Sequence, residues 1–133
     1  MLVVDTSAVL AALIGRPADK RLMDRLGIDG DLCAPHLLDI ELLHALRRLV
    51  GGGELSEGRA AAARSDFADL SIVRYSHVIL ADRIWELRHN LTAYDAAFVA
   101  LAERLATPLI TCDAGLAKAP GNAAAIELYE GER

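Results

Sequence analysis

The pattern of apolar and polar residues divides the chain into short apolar runs and longer segments with helical periodicity. Runs of a few apolar residues predict buried strands, and apolar positions that recur every three or four residues predict helices. The predicted strands are residues 2–5, 32–34, 71–74, 109–112 and 124–128, the last of them at an edge. The predicted helices are residues 7–14, 18–26, 36–50, 56–70, 78–91 and 93–105, with a brief one after Asp113.

Strands that alternate with helices are typical of a parallel sheet covered on both faces. We therefore expect an α/β fold with three α/β/α layers around a small, mostly parallel central sheet. The 133 residues fit a single domain, residues 1–133, with a core of useful size. Hydrophobic residues make up 53% of the chain and aromatic residues only 5%, so Ala, Leu, Val and Ile must build that core.

The formal net charge of −5 argues against a surface that binds polyanions in general. A nucleic-acid role would need local basic patches, together with metal ions that reverse the sign of the field inside a cleft. The candidates for phosphate contacts are Arg16, Lys20, Arg21, Arg47, Arg48 and Lys118. Any one of them is at least as readily an ordinary solvated side chain.

Cysteine usage and the N-terminal segment favour a cytoplasmic setting. Cys33 and Cys112 each fall in a predicted buried strand, where a disulfide is conceivable but free thiols in a reducing cytosol are favoured. The N-terminus has no basic segment, and the apolar run of residues 8–14 is too short to span a bilayer. We expect neither a signal peptide nor a membrane anchor.

Four acidic residues carry most of the functional information: Asp5, Glu41, Asp95 and Asp113. Each stands at a predicted strand end or in the first turns of a predicted helix. The carboxyl ends of parallel strands meet along one edge of a sheet, so these acids are expected to meet in one cleft. Clustered carboxylates repel one another unless a divalent cation neutralises them, and hard oxygen ligands suit Mg²⁺ or Mn²⁺. The pattern predicts metal-assisted phosphodiester chemistry.

Two hydroxyl side chains are expected to support these acids. Side chains alternate along a strand, so Thr111 should point to the same side as Asp113. Ser7 follows Asp5 at the start of the first helix. We expect Ser7 and Thr111 to hold the carboxylates or a bound water by hydrogen bonds.

Helix capping is the competing interpretation of each acid. Asp5 and Asp113 precede helices, and Asp95 forms a capping-box-like pattern with Thr92. Glu41 lies early in its helix, where the macrodipole favours negative charge. Taken singly, capping and function are about equally good explanations. Together the acids fit capping less well, because Glu41 lies well past the cap of a mostly apolar helix.

Histidine-based phosphodiester cleavage is a competing but less favoured route. His44 lies three residues after Glu41 on the same helix, and His36, His77 and His89 lie near predicted helix ends, where imidazoles are often caps or solvated.

Two other enzyme and signalling folds fit poorly. A haloacid-dehalogenase-type phosphatase needs a second Asp where Ser7 stands. A phospho-receiver domain needs an Asp at the end of its middle strand, which residues 72–75 do not supply.

Four segments, in order and suitably spaced, resemble a known family. They are VVDTSA at residues 3–8, Ala34-Pro35 followed by Glu41, LTAYDAA at residues 91–97 and LITCD at residues 109–113. They are similar to the motifs of PIN-domain nucleases, particularly the VapC toxins of bacterial toxin–antitoxin pairs. The resemblance covers nearly the whole chain, and all four family acids are present.

The resemblance implies a metal-dependent endoribonuclease. By analogy Asp5, Asp95 and Asp113 bind one or two Mg²⁺ or Mn²⁺ ions, and Glu41 binds a second ion or orients water as a general base. The implied substrate is structured cellular RNA, cut to leave a 5′-phosphate and a 3′-hydroxyl. The implied partners are a second copy of the chain and a VapB-type antitoxin. The helices at residues 36–50 and 78–91 carry more apolar surface than one small sheet covers, and this surface either packs into the core or forms a dimer face or a groove for a partner. A catalytically silent PIN-like binding module is the alternative.

Overall fold

A computed structural model describes residues 1–15 and 19–130, without the side chains of residues 28 and 29. Arg16, one of the predicted phosphate contacts, lies outside the described residues. Five strands form one sheet in the order β3-β2-β1-β4-β5, and every neighbouring pair is parallel. The strands are β1 Leu2–Val4, β2 Leu32–Pro35, β3 Ile72–Tyr75, β4 Leu109–Thr111 and β5 Ile126–Leu128. The predicted α/β class is confirmed.

Helices connect the strands. In the described part of the chain they are α1 Thr6–Ile14, α2 Lys20–Asp29, α3 Leu37–Gly51, α4 Glu57–Asp69, α5 Ala81–Glu86, α6 Ala93–Leu105 and α7 Ala114–Lys118. Connections between parallel strands are right-handed, so the chain order places α1 to α4 on one face of the sheet and α5 to α7 on the other. The contacts agree: α1 packs against α3 and α4, while α6 packs against β1, β2 and β4. The three predicted layers are confirmed.

The centre of the core lies where α6 crosses the sheet. Seven consecutive residues of α6, from Ala96 to Ala102, are buried, with Phe98 among the largest wholly buried side chains of the described residues. All three residues of β1 are fully buried, and Val3 pairs with Cys33 on one side and Leu109 on the other. A helix that is buried around its whole circumference is fixed by packing on every side.

A clasp of ion pairs fixes α5 and the C-terminal segment to α6. Arg83 of α5 donates two hydrogen bonds to the Glu103 carboxylate, at 2.6 and 3.0 Å. The same carboxylate accepts the N–H of Ala123 at 2.7 Å. The planar guanidinium suits this bidentate geometry, which also lowers the pKa of Glu103.

The second helix ends later than predicted. The turn predicted from residue 27 is instead the end of α2, which runs through Gly27 to Asp29 and stops at Gly30, whose φ is 66°. The predicted start of this helix at residue 18 lies outside the described residues. Glycine is merely tolerated within a helix but favoured at a left-handed C-terminal cap, so Gly30 and not Gly27 ends α2.

The helix predicted at residues 78–91 is broken into shorter pieces. A 3₁₀ turn at Val78–Leu80 precedes α5, and α5 ends at Glu86. Beyond α5 the backbone turns more tightly: the N–H of Arg88 donates to the Trp85 carbonyl at 3.2 Å and the N–H of Asn90 to the Leu87 carbonyl at 3.1 Å, each three residues back. The Arg88 side chain donates to the same Trp85 carbonyl at 2.9 Å. The predicted apolar stripe is still buried at Leu80, Leu87 and Leu91.

Both cysteines are free thiols. Cys33 is buried in β2, whereas Cys112 is half-buried and follows β4 instead of lying within it. Burial and the nearby Asp5 and Asp19 raise the pKa of Cys112 to about 11, so it is protonated at neutral pH. Within residues 1–15 and 19–130, no helix has the length and apolarity needed to cross a bilayer.

One residue, Ala106, adopts a conformation that favours glycine. It ends α6 with φ 50° and ψ 49°, is exposed, and is the only described non-glycine residue with positive φ. We expect Ala106→Gly to raise the free energy of unfolding by about 0.5–1 kcal/mol, because relief of left-handed strain exceeds the added freedom of the unfolded chain. Chemical denaturation measures the change.

The control for this substitution is Ala62→Gly in α4, at an exposed helical position. It should lower the free energy of unfolding by about 1 kcal/mol, because glycine is a poor helix former. Destabilisation of similar size in both variants would contradict the left-handed strain at Ala106.

Candidate functional site

A cleft of about 570 Å³ opens beside the carboxyl ends of the central strands, and all four predicted acids line it. Asp5 follows β1, and Asp113 comes two residues after the end of β4, the neighbouring strand. Glu41 lies in the second turn of α3, and Asp95 in the first turn of α6. The strand order reverses direction between β1 and β4: β2 and β3 lie on one side of β1, and β4 and β5 on the other. In open parallel sheets, ligand sites form at such a point.

Asp5 is the most firmly held of the four acids. Its side chain is buried, and its N–H donates to the Ile110 carbonyl of β4 at 3.1 Å. Carboxylate atom Oδ1 accepts the N–H of Ala8 at 2.9 Å and the hydroxyl of Ser7 at 2.7 Å. Oδ2 accepts the hydroxyl of Thr111. The carboxylate therefore caps α1 and is tied to β4 at the same time.

Ser7 and Thr111 link the ends of β1 and β4. The wholly buried Thr111 hydroxyl donates to Asp5 and accepts the N–H of Asp113 at 3.0 Å. Ser7 donates to Asp5 and accepts the N–H of Cys112 at 2.9 Å. The two hydroxyl oxygens lie 3.3 Å apart. This network fixes the position of Asp5 relative to Asp113.

Glu41 belongs to the face of α3 that lines the cleft, together with Leu37, Ile40 and His44. It is half-buried, and its Oε1 accepts the hydroxyl of Thr6 at 2.6 Å. Thr6 begins α1, so this bond fixes α3 to the helix that Asp5 caps. The role of Thr6 was missed in the sequence, where its only signal is a hydroxyl placed directly after the first acid.

Asp113 and Asp95 are held less tightly. Asp113 is exposed, and its Oδ1 caps α7 by accepting the N–H groups of Gly115 and Leu116 at 2.8 and 3.2 Å. Asp95 gives its N–H to the Thr92 hydroxyl at 3.2 Å. Among the described residues, no protein group donates a hydrogen bond to the Asp95 carboxylate. Only one of the two hydrogen bonds of a capping box is therefore present, the one from the Asp95 N–H to the Thr92 hydroxyl. The Asp95 carboxylate takes no part in the cap.

The acids interact electrostatically. Burial raises the pKa of Asp5 against the lowering effect of its hydrogen bonds, and the charge of Asp113 raises it further. Burial also raises the pKa of Asp95, and the charges of Asp113 and Glu41 add to the effect. All four carboxylates are thus connected by repulsion across one cleft. Such an arrangement favours either protonation or a bound cation.

The donor set of the cleft suits a hard divalent cation. Within residues 1–15 and 19–130, no three His, Cys, Asp or Glu side chains by themselves form a cluster that could hold a metal ion. Mg²⁺ does not require one, because it keeps several waters and is commonly bound through one or two carboxylates. Asp5, Asp95, Asp113 and Glu41 are the residues that could hold such an ion, directly or through water.

The other predicted candidates are dispersed. Arg48 and His44 line the cleft on α3, but the exposed Lys20, Arg21, Arg47 and Lys118 are not part of its lining. His36 and His77 face each other elsewhere, with their rings 6.4 Å apart, and His89 is exposed. Sequence reasoning also missed Tyr94 and Phe98, which line the cleft on α6 at a spacing of four residues.

Comparisons with known proteins agree on the family. The family model for the PIN domain matches residues 2–122. Ribonuclease VapC1 of Mycobacterium tuberculosis is 46% identical over 127 residues, which cover 95% of this chain and 96% of that protein. Ribonuclease VapC9 of the same species is 43% identical over 115 residues, which cover 85% and 86%.

Two solved structures share the fold. PAE2754 from Pyrobaculum aerophilum superposes with a TM-score of 0.67 at 25% identity and covers 94% of this chain and 81% of its own. VapC20 of Mycobacterium tuberculosis, a toxin that cleaves the sarcin–ricin loop, superposes with a TM-score of 0.63 and covers 88% and 93%. At 19% identity this second likeness concerns the fold alone. From the family match and the relatives, the chain belongs to the PIN-domain family and, within it, to the VapC ribonucleases.

Proposed function

We propose that this chain is the toxin of a toxin–antitoxin pair, an endoribonuclease that hydrolyses RNA phosphodiester bonds with the help of Mg²⁺ or Mn²⁺. The main observation in support of this function is that four carboxylates line one cleft and repel one another there: Asp5, Glu41, Asp95 and Asp113. The ribonuclease names of the 46% and 43% identical relatives support the reaction class. The metal and the role of each residue are part of the proposal.

The divalent ion is supported by the charge balance of the cleft. An RNA phosphate would not enter a site lined by four carboxylates unless cations offset their charge. When bound, such an ion supplies Lewis-acid activation of water and stabilises the charge of the transition state. Asp5, Asp95 and Asp113 would hold it, and Asp5 is held in place for this by Thr111 and Ser7.

Glu41 is proposed as the proton acceptor. Because Oε1 already accepts the Thr6 hydroxyl, Oε2 is the atom left to take a proton from the attacking water. Attack by water leaves a 5′-phosphate and a 3′-hydroxyl and makes no use of the ribose 2′-hydroxyl. Catalysis by paired histidines is less well supported, since His44 is the only described histidine that lines the cleft.

The proposed partners are a VapB-type antitoxin and a second copy of the chain, acting in the cytoplasm where RNA is available. Large apolar side chains are exposed on α3 at Ile40 and Leu43, and around α5 at Val78, Ile79 and Trp85. Val78 is 82% exposed and Trp85 67%. Exposed apolar patches of this kind favour protein contacts. They support the homodimer and the antitoxin groove in equal measure.

A catalytically silent PIN-like module is the alternative function. A buried carboxylate such as Asp5 has a structural use as a helix cap, so its presence alone does not require catalysis. The Asp95 carboxylate favours the enzyme, because it is partly buried, repelled by its neighbours and unsupported by any donor in the described part of the chain.

Removal of the charge of Asp5 separates the two functions. We expect Asp5→Asn to lower kcat/KM for Mg²⁺-dependent RNA cleavage at least about a hundredfold, since loss of a direct ligand exceeds the usual cost of losing a supporting one. Cleavage of labelled RNA by the purified chain measures the effect. Asp66→Asn is the control, at an exposed position of α4 outside the cleft. Equal activity in Asp5→Asn and the unmodified protein would remove the metal-nuclease mechanism.

The Thr111 hydroxyl is expected to control metal affinity through Asp5. Thr111→Val keeps the shape but removes the donor to Asp5 Oδ2, so the Mg²⁺ concentration for half-maximal rate should rise about 10- to 100-fold. Thr111→Ser keeps the hydroxyl and should stay close to the unmodified protein. A Mg²⁺ dependence that is the same in the Val and Ser variants would show that Thr111 matters only for packing.

Carboxylate repulsion should lower the stability of the metal-free protein. Because the pKa values of Asp5 and Asp95 are raised, the folded protein binds more protons than the unfolded chain just above the ordinary carboxyl pKa. The stability contribution of these groups therefore falls as pH rises through that interval. At neutral pH in EDTA, Asp95→Asn should raise the free energy of unfolding by on the order of 0.5 kcal/mol, allowing for solvent screening.

Added Mg²⁺ should reverse this order. The ion should stabilise the unmodified protein more than the Asp95→Asn variant, because stabilisation by a ligand of the folded state grows with the logarithm of the ratio of the Mg²⁺ concentration to Kd, and the variant should bind the ion more weakly. Thermal melting with and without Mg²⁺ gives both comparisons. A variant that is less stable than the unmodified protein in EDTA would contradict the proposed repulsion at Asp95.

A further inference from the structure

The lining of the cleft contains apolar side chains as well as acidic ones. Its lining includes Leu37 and Ile40 of α3 and Tyr94 and Phe98 of α6. Phe98 is wholly buried and forms part of the floor, while Tyr94, one helical turn earlier, is 60% exposed. Ile40 is 67% exposed. An aromatic ring and an aliphatic side chain thus remain accessible inside the site that holds the acids.

These two exposed side chains directly precede acids in the sequence. Tyr94 is followed by Asp95, and Ile40 by Glu41. The Tyr94 and Ile40 side chains therefore each lie on the same helical turn as one of the carboxylates of the cleft. No hydrogen bond ties the Tyr94 hydroxyl to another group in the described part of the chain, and the side chain is more exposed than buried.

We propose that Tyr94 stacks on a nucleobase next to the scissile phosphate, and that Ile40 adds apolar contact to the same subsite. This inference rests on the proposed ribonuclease function and adds a determinant of substrate choice to it. A nucleotide presents a phosphate and a flat base a short distance apart, which matches a cleft whose lining holds both carboxylates for a cation and an exposed aromatic ring.

Stacking on Tyr94 restricts the form of the RNA. A base in a duplex is already stacked on both faces and is not available to a side chain, whereas a base in a loop or single strand is. The base that occupies the subsite must therefore be unpaired. Arg48, which lines the cleft on α3, is placed to contact the backbone of the same strand.

The test combines variants at Tyr94 with abasic RNA. A short RNA that the unmodified protein cleaves is compared with copies that carry one abasic nucleotide at successive positions around the cut. We expect Tyr94→Leu, which is apolar but not flat, to lower kcat/KM roughly 5- to 150-fold on intact RNA. Tyr94→Phe and Tyr94→Trp keep a flat ring and should stay within about threefold of the unmodified protein.

The abasic substrates distinguish stacking from a structural effect. At one position the abasic nucleotide should lower kcat/KM for the unmodified protein about as much as Tyr94→Leu does on intact RNA. At that position the two losses should not multiply, because both remove the same contact. A structural role of Tyr94 would instead give the same loss in Tyr94→Leu on every substrate, including the abasic ones.

The outcomes separate the two proposals. Full activity of Tyr94→Leu on intact RNA, or losses that multiply at every abasic position, would overturn the base-stacking role while the ribonuclease function stood. Equal losses in Tyr94→Phe and Tyr94→Leu would also overturn it. Failure of the unmodified protein to cleave any RNA with Mg²⁺ or Mn²⁺ would overturn the proposed function itself. Melting curves of each variant identify any that are unfolded.

Discussion

The structure depends on one buried carboxylate, Asp5, at the end of the central strand. A buried charge is costly unless hydrogen bonds satisfy it. Here the donors come from α1, through Ser7 and the Ala8 N–H, and from β4, through Thr111. Since β1 lies between β2 and β4, these bonds join the start of the first helix to the neighbouring strand at the point where the cleft opens. The arrangement of the site therefore follows from the way in which this charge is accommodated.

Helix capping does not by itself exclude a ligand role for the same side chain. Asp5 caps α1 and Asp113 caps α7, so the capping interpretation is right for both. Oδ1 of Asp113 accepts both backbone N–H groups of its cap, and Oε1 of Glu41 accepts the Thr6 hydroxyl. A carboxylate has two oxygens, and Asp113 and Glu41 each use only one of them for these hydrogen bonds, whereas Asp5 uses both. The second oxygen of Asp113 and of Glu41 remains available to a ligand in the cleft.

Sequence patterns predict what is local and miss what depends on packing between helices. The acids at strand ends could be found because parallel strands bring their carboxyl ends together, and Thr111 because side chains alternate. The Thr6–Glu41 bond joins residues 35 positions apart and depends on how α1 packs against α3. The break near Glu86 was missed because no glycine or proline marks it, although the backbone N–H of Arg88 there donates to the carbonyl three residues back, at Trp85. In the sequence, Tyr94 is only one residue of the motif at residues 91–97. Its position in the lining of the cleft shows that its ring is exposed there.

The burial of α6 limits how this protein could be switched off. Asp95 lies in the first turn of α6, and the next seven residues of this helix, Ala96 to Ala102, are buried. The Arg83–Glu103 ion pair fixes the C-terminal end of the helix. Displacing the backbone of Asp95 would mean moving that helix out of the protein interior, which a modest binding energy does not achieve. We therefore expect an inhibitor that keeps the fold intact to occupy the cleft instead of moving its helices.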